Sequence, residues 1–277
     1  MRVMIARRRS VVALAVIGLV VVVAGSVFLI LWRRSGAHEV STNAARKRFE
    51  QSSSSSVTEP ATNLAVRPAA GVYVYRGSGT EHLSLPPKSQ AQGPQMPGTV
   101  LLTANGCWTF RIDYSSQHWQ TWNYCPRGGG LVELGGQTFE RWNFVFTTYD
   151  STSTFTCNPP SVAIRADMHP GDEWRQECRG TSSGTTGQAV TSGPYTFVGD
   201  DVIVVGGTRV PAYHFRQQRT LTGSQTGSQT TDQWFAQKNG LPLRNERQET
   251  VHTKTIIGSS TYTEHGSFQL TSLQPQR

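Results

Sequence analysis

The sequence predicts an all-β domain at residues 71–277, built as a single strongly bent antiparallel sheet (half-barrel or barrel-like), after one N-terminal transmembrane helix and a disordered tether. Three observations predict this. Cys107–Cys125 alternates apolar and polar residues on both sides of a short polar turn. From Gly71 onward, turn signals divide the chain into short runs rich in aromatic and β-branched residues, none with a sustained helical apolar period. Before that domain, Val11–Trp32 is 22 residues without a charge or a proline.

Residues 1–10 form a basic tail. As a helix, residues 11–32 would be about 33 Å long, enough to cross a hydrocarbon core of about 30 Å. The run is longer than the apolar part of a cleaved signal peptide, ends in the bulky Phe28–Trp32, and is closed by Arg33 and Arg34. An uncleaved anchor is therefore expected, with the lipid bilayer as the partner of residues 11–32. Arg2, Arg7, Arg8 and Arg9 outweigh Arg33 and Arg34, which places the amino terminus in the cytoplasm and the domain outside. The expected location is the cell membrane, single-pass, with the carboxyl-terminal domain extracytoplasmic.

Residues 33–70 read as a Ser/Pro-rich tether. The Ser52–Ser56 run, Pro60 and Pro68 offer nothing to bury, so disorder is expected, with a reach of about 30 Å. Ala44–Gln51 is the stretch in it that can form a short helix.

The chain carries 26 basic and 18 acidic residues, but their distribution matters more than the total. Residues 1–48 hold nine Lys/Arg and one acid, whereas residues 49–277 hold 17 of each sign. The excess positive charge thus belongs to the membrane flank, and a nucleic-acid partner is not expected.

In the domain, Gly71–Tyr75 and Thr99–Thr103 are short strand signals separated by a Pro/Gln-rich loop, Pro86–Pro97. The next hairpin fixes its own register. If Cys107 faces Cys125, then Trp108 pairs with Tyr124, Phe110 with Trp122, Ile112 with Gln120 and Tyr114 with His118. One face is then almost wholly aromatic, and the other carries Thr109–Asn123, Arg111–Thr121 and Asp113–Trp119. A slip of one residue would set every aromatic opposite a polar partner. The second pair is Cys157 with Cys178. Cys-x-x-Cys spacing is absent and the histidines are scattered, so disulfides are expected in place of a metal site. They also fit an oxidising compartment. Beyond Cys178 the chain reads as long hairpins: Tyr195–Val198 and Val202–Val205 about Asp200-Asp201, then Val210–Leu221. Thr231–Lys238 meets Leu241–His252 across Asn239-Gly240, and Thr261–Leu273 ends the domain. The repeat GSQT-GSQT, Gly223–Thr230, reads as a flexible hairpin tip.

Two pieces carry a family resemblance. His169-Pro-Gly-Asp-Glu-Trp174 is a turn into a long strand. Asp232-Gln-Trp-Phe-Ala236 leads into Asn239-Gly-Leu-Pro-Leu-Arg244. Over about residues 165–250 the chain resembles uncharacterised bacterial membrane-anchored envelope proteins, which are similar to the lipoprotein-carrier (LolA-like) half-barrels. The resemblance implies a curved sheet whose concave apolar face holds acyl chains.

Catalytic residues are not evident. Gly180-Thr-Ser182-Ser-Gly184 matches G-x-S-x-G, but a nucleophile elbow needs a strand–turn–helix setting that this Ser/Gly-dense segment lacks. His169 with Asp172 and Glu173 reads as a solvated turn. The feature with binding character is the aromatic face Trp108, Phe110, Trp122 and Tyr124, which either packs as core or offers a groove to an envelope lipid or other apolar ligand. The leading expectation is a membrane-anchored, non-catalytic envelope domain that binds a lipid or other apolar envelope ligand on this aromatic face, without cofactor or metal. A structural or protein-interaction module, partnering an envelope protein, is the alternative, and an envelope hydrolase is a third reading.

Overall fold

The two-residue alternation read in the Cys107–Cys125 hairpin continues around an entire circuit. The computed structural model describes residues 39–53, 67–255 and 258–277. They contain one α-helix, α1 (Thr42–Ser53), a single 3-10 turn (Ala104–Gly106) and thirteen strands: β1 (Gly71–Ser84), β2 (Pro87–Gln92), β3 (Gln95–Leu102), β4 (Trp108–Asp113), β5 (His118–Arg127), β6 (Gly130–Asn143), β7 (Thr148–Ile164), β8 (Glu173–Ser182), β9 (Gln188–Val205), β10 (Thr208–Gly223), β11 (Gln225–Ala236), β12 (Pro242–Thr255) and β13 (Gly258–Leu270).

From β3 onward, each strand pairs antiparallel with the next. Both β2 and β3 pair with β1, β3 along Gly71–Arg76 and β2 along Gly79–Ser84, so the two form one stave interrupted at Gly93-Pro94. The last strand, β13, returns to β1 in a ladder from Tyr75↔Leu270 to Leu83↔Tyr262. The result is a closed antiparallel barrel of 12 staves.

Closure corrects the half-barrel expectation. An open sheet would leave β1 and β13 with rows of unpaired backbone groups, and joining them removes both edges. Two local expectations change for the same reason. Most of Pro86–Pro97 is strand, with Gln90 and Gln92 buried. The GSQT repeat is the first half of β11, leaving only Ser224 between the strands, and its exposure alternates residue by residue. The Cys107–Cys125 hairpin has the expected pairs, from Trp108↔Tyr124 through Phe110↔Trp122 to Asp113↔Trp119.

The basic tail 1–10 and the expected transmembrane helix 11–32 lie outside the described residues. Among the described residues, no helix is long and apolar enough to cross a membrane. Within the expected tether, residues 33–38 and 54–66 also lie outside them, and Thr42–Ser53 is helical, covering the Ala44–Gln51 stretch read as able to form a short helix and extending it at both ends. Ser41 caps it, its hydroxyl accepting the Ala44 N–H at 3.2 Å. Ala45 and Phe49, four residues apart, bury one stripe against Ala70, Val72 and Leu101 on the outer wall. Arg48 pairs with Asp113, and Gln95 Nε2 donates to Thr42 Oγ1 at 2.8 Å. Docking, more than intrinsic propensity, accounts for a helix this short.

Both expected disulfides are present, Cys107–Cys125 and Cys157–Cys178. The second closes the barrel's shortest ladder. Strands β7 and β8 pair only from Ser153↔Ser182 to Thr156↔Arg179. Past the disulfide, side chains bridge the seam: Trp174 Nε1 and Gln176 Nε2 both donate to the Val162 carbonyl, at 2.8 and 2.5 Å. Replacing Cys157 and Cys178 together by serine should cost about 3 kcal/mol of unfolding free energy, as expected for a loop of 21 residues. Urea unfolding of the oxidised protein and the double variant measures this, and coincident curves would refute it.

Candidate functional site

The inward residues of the staves divide the lumen into layers. One end is apolar: Tyr73, Tyr75, Met96, Val100, Tyr195, Phe215, Phe235, Leu243 and Phe268 belong to one buried cluster. The expected aromatic face is part of it. Trp108, Phe110 and Tyr124 are buried, and the half-buried Trp122 packs against the same cluster. Phe110 stacks on Trp122 at 5.9 Å between ring centroids, and Tyr124 meets Phe235 edge-on at 6.1 Å. The space beside this face, lined also by Trp234, Pro242 and Phe268, amounts to about 10 Å³. That is about the volume one water needs.

Toward the opposite end the same alternation turns inward charges onto one another. Glu81 on β1, His118 on β5, Arg247 on β12 and Glu264 on β13 are all buried. His118 Nδ1 lies 2.6 Å from Glu81 Oε1 and 4.0 Å from Glu264 Oε1. Gln92 Nε2 bridges the two acids, at 2.7 Å from Glu81 and 2.5 Å from Glu264, while Gln90 Nε2 donates to the other Glu81 oxygen at 2.5 Å. Arg247 pairs with Glu264, donates to Gln120 Oε1, and lies over the Tyr114 ring at 4.6 Å. Tyr262 donates its hydroxyl to Glu264 at 3.0 Å. Gly79 and Gly266 face each other across β1 and β13, and a Cβ on either would lie within 2.2 and 2.5 Å of Gln92 Oε1. Those glycines make the room that Gln92 occupies.

The electrostatics follow from this crowding. Burial opposes the imidazolium, but the carboxylates of Glu81 and Glu264 outweigh it and hold His118 up at about 9. Burial likewise resists the charge on Glu264, yet Arg247 and His118 hold it below its ordinary value. Two half-buried acids border the cluster, Glu140 opposite His118 and Glu249, which accepts from Gln229 at 3.2 Å. Burial raises both to about 7, helped at Glu249 by the Glu264 charge.

Glu81, His118 and Glu264 can each bring one ligand atom within 4.8 Å of the others, as a metal would require. The Arg247 guanidinium and the Gln92 amide already occupy their oxygens, so the chemistry of this donor set is that of an ionic hydrogen-bond network. Glu133 lies similarly near Cys157 and Cys178, but those sulfurs are committed to a disulfide. Ser182 of the G-x-S-x-G match ends β8 and meets Ser151 Oγ at 3.1 Å; the chain then turns into β9, a strand, and not into a helix. In the His169–Asp172 turn, the His169 N–H is held by the Asp172 carboxylate at 2.9 Å.

The outer wall carries a second feature. Two cross-strand rows, Arg216–Asp232–Glu246–Ser267–Ser78 and Gln218–Thr230–Gln248–His265–Thr80, line a shallow polar groove of about 770 Å³ over β10 to β13 and β1. Beside it His214 stacks on Trp234 at 4.2 Å and Arg244 covers the same indole at 4.7 Å.

No protein-family model matches the chain, and no curated protein matches it in sequence. A solved structure of a hypothetical lipoprotein from Escherichia coli, YmcC, is similar at a TM-score of 0.31 and 10% identity, covering 76% of this chain and 92% of its own.

Proposed function

We propose that this chain is a membrane-anchored, non-catalytic barrel of the cell envelope that acts through its outer surface, as a structural or protein-interaction module. The observation that carries this reading is the close packing of the aromatic end of the lumen. A bound acyl chain at Trp108, Phe110, Trp122 and Tyr124 would have to displace Phe235 and Phe268, because about 10 Å³ is open beside them. The two disulfides support an oxidising compartment, and the 22-residue apolar run supplies the anchor. The polar groove over β10 to β13 and β1 gives the outer wall a surface suited to a protein partner.

The full chain, purified in lipid nanodiscs, tests the reading directly. Added envelope lipid extract should leave the thermal midpoint unmoved, and native mass spectrometry should find no ligand retained in the barrel. A ligand present at a hundredfold excess over its dissociation constant would add about 2.7 kcal/mol. A rise of that size, abolished by Trp122→Ala, would replace this reading with apolar-ligand binding on the aromatic face.

A further inference from the structure

Hydrophobic side chains crown the turns at one end of the barrel, and we propose that this end rests on the lipid bilayer, with the β6–β7 and β1–β2 tips seated among the headgroups. The inference rests on the membrane-anchored reading above. In the β6–β7 turn the Phe144 N–H bonds the Thr147 carbonyl at 2.8 Å, and the residues between them stand out in solvent: Val145 is 67% and Phe146 98% exposed. Leu85, at the β1–β2 tip, is exposed at the same end. These tips form one platform. Beneath them Trp142, Val251 and Tyr262 pack across the mouth with Leu83, Phe144 and Leu221, tying β6 to β12, β13 and β1. Bare phenylalanine and valine side chains on this platform gain free energy when they leave water for an apolar phase.

Charge and chain direction favour a bilayer as the occupant. Lys88 and Lys254 flank the tips, and the acid of the β6–β7 hairpin, Asp150, is held by Arg141 in a two-pronged pair at 2.8 and 2.6 Å. Anionic headgroups attract such a rim. Helix α1 lies along the wall with Thr42 beside Gln95, midway up the barrel, and Phe49 beside Val72, near the far end. Its N-terminus therefore points toward the tips. Residues 33–41, between the predicted span and α1, are nine in number, with a greatest reach of about 30 Å. A barrel held on so short a leash stays close to the membrane surface. The far end also exposes apolar groups, Val198, Val202 and Val204 on β9, but Asp200 and Asp201 interrupt them, and a bilayer would reject those carboxylates.

Photocrosslinking of the full chain decides the matter. The protein is reconstituted in nanodiscs of phosphatidylcholine and phosphatidylglycerol, as Phe146→p-benzoylphenylalanine or, for the control at the far end, Val204→p-benzoylphenylalanine. Lipid adducts at position 146 should exceed those at 204 by about tenfold, as insertion of only one end requires. Equal labelling at the two positions, or protein–protein adducts in place of lipid at 146, would overturn the orientation. Carbonate extraction of the unmodified chain from cell membranes separates the two readings. A chain that extracts is not anchored, whereas a chain that resists extraction yet gives no lipid adduct at 146 is anchored but oriented otherwise.

Discussion

Arg247→Met is expected to lower the unfolding free energy by about 3–5 kcal/mol, because it strands a buried carboxylate without its partner. Arg247 and Glu264 are both almost wholly excluded from water, and their side chains pair directly. Without the guanidinium, Glu264 faces Glu81 across Gln92 with only His118 to balance two charges. Gln120 and Tyr114 lose a donor and a stacked cation at the same time. The double variant Arg247→Met with Glu264→Gln should recover most of the loss, since it removes both charges together. Chemical denaturation of the two single variants and the double completes the cycle. Single losses below about 1 kcal/mol would show that water reaches the cluster and screens it.

The cluster does more to choose a structure than to stabilise one. Buried ion pairs seldom outperform apolar residues of the same size, and here His118 Nε2, Gln92 Oε1 and Arg247 Nε find no partner among the described residues. Yet its charges come from β1, β5, β12 and β13, on both sides of the closing seam. A one-residue slip of β13 on β1 would turn Glu264 out to solvent and leave Arg247 and His118 inside. The polar network thus fixes the register at which the barrel closes, where backbone pairing alone is indifferent.

Several of these features were legible in the sequence. The Cys107–Cys125 register was readable because the disulfide and the aromatic alternation demand the same pairing, and it already set His118 on the inner face beside Tyr114. The same count by twos from Tyr73 and Tyr75 reaches Glu81, from Leu243 reaches Arg247, and from Phe268 reaches Glu264. The inward charges were thus written in the pattern, but they look like solvated strand residues until four strands are brought together. Closure was not legible, since no local signal marks β1 and β13 as neighbours across nearly two hundred residues of chain. Helix α1 was legible as the Ala44–Gln51 stretch able to form a helix, but its docking was hidden for a related reason. Ala45 and Phe49 make only a thin apolar stripe, and its partners Val72 and Leu101 lie on the outer wall, a surface a half-barrel would have left to solvent.

Stability should fall as pH rises from about 5 to about 9, and His118 sets the upper part of that slope. Its imidazole is held at about 9 in the folded chain against an ordinary 6.5, so its contribution is complete below 6.5 and lost as pH climbs through 9. The interval between those values corresponds to about 3 kcal/mol. Glu140 and Glu249, raised from 4.5 to about 7, act in the same sense at lower pH. The unfolded chain releases their protons from about 4.5 upward while the barrel retains them, so ionisation pulls toward the unfolded state until both have titrated. Glu264 acts oppositely, its depressed value costing stability only as pH falls below the ordinary carboxylate range. The thermal midpoint should therefore peak near pH 5. His118→Gln keeps a hydrogen-bond donor for Glu81 but cannot titrate, and it should flatten the curve between pH 7 and 9 while leaving the fall from 5 to 7. A native midpoint that holds level or rises from pH 5 to 9 would mean that His118 is neutral in the folded barrel, its proton lost to burial despite the carboxylate 2.6 Å away.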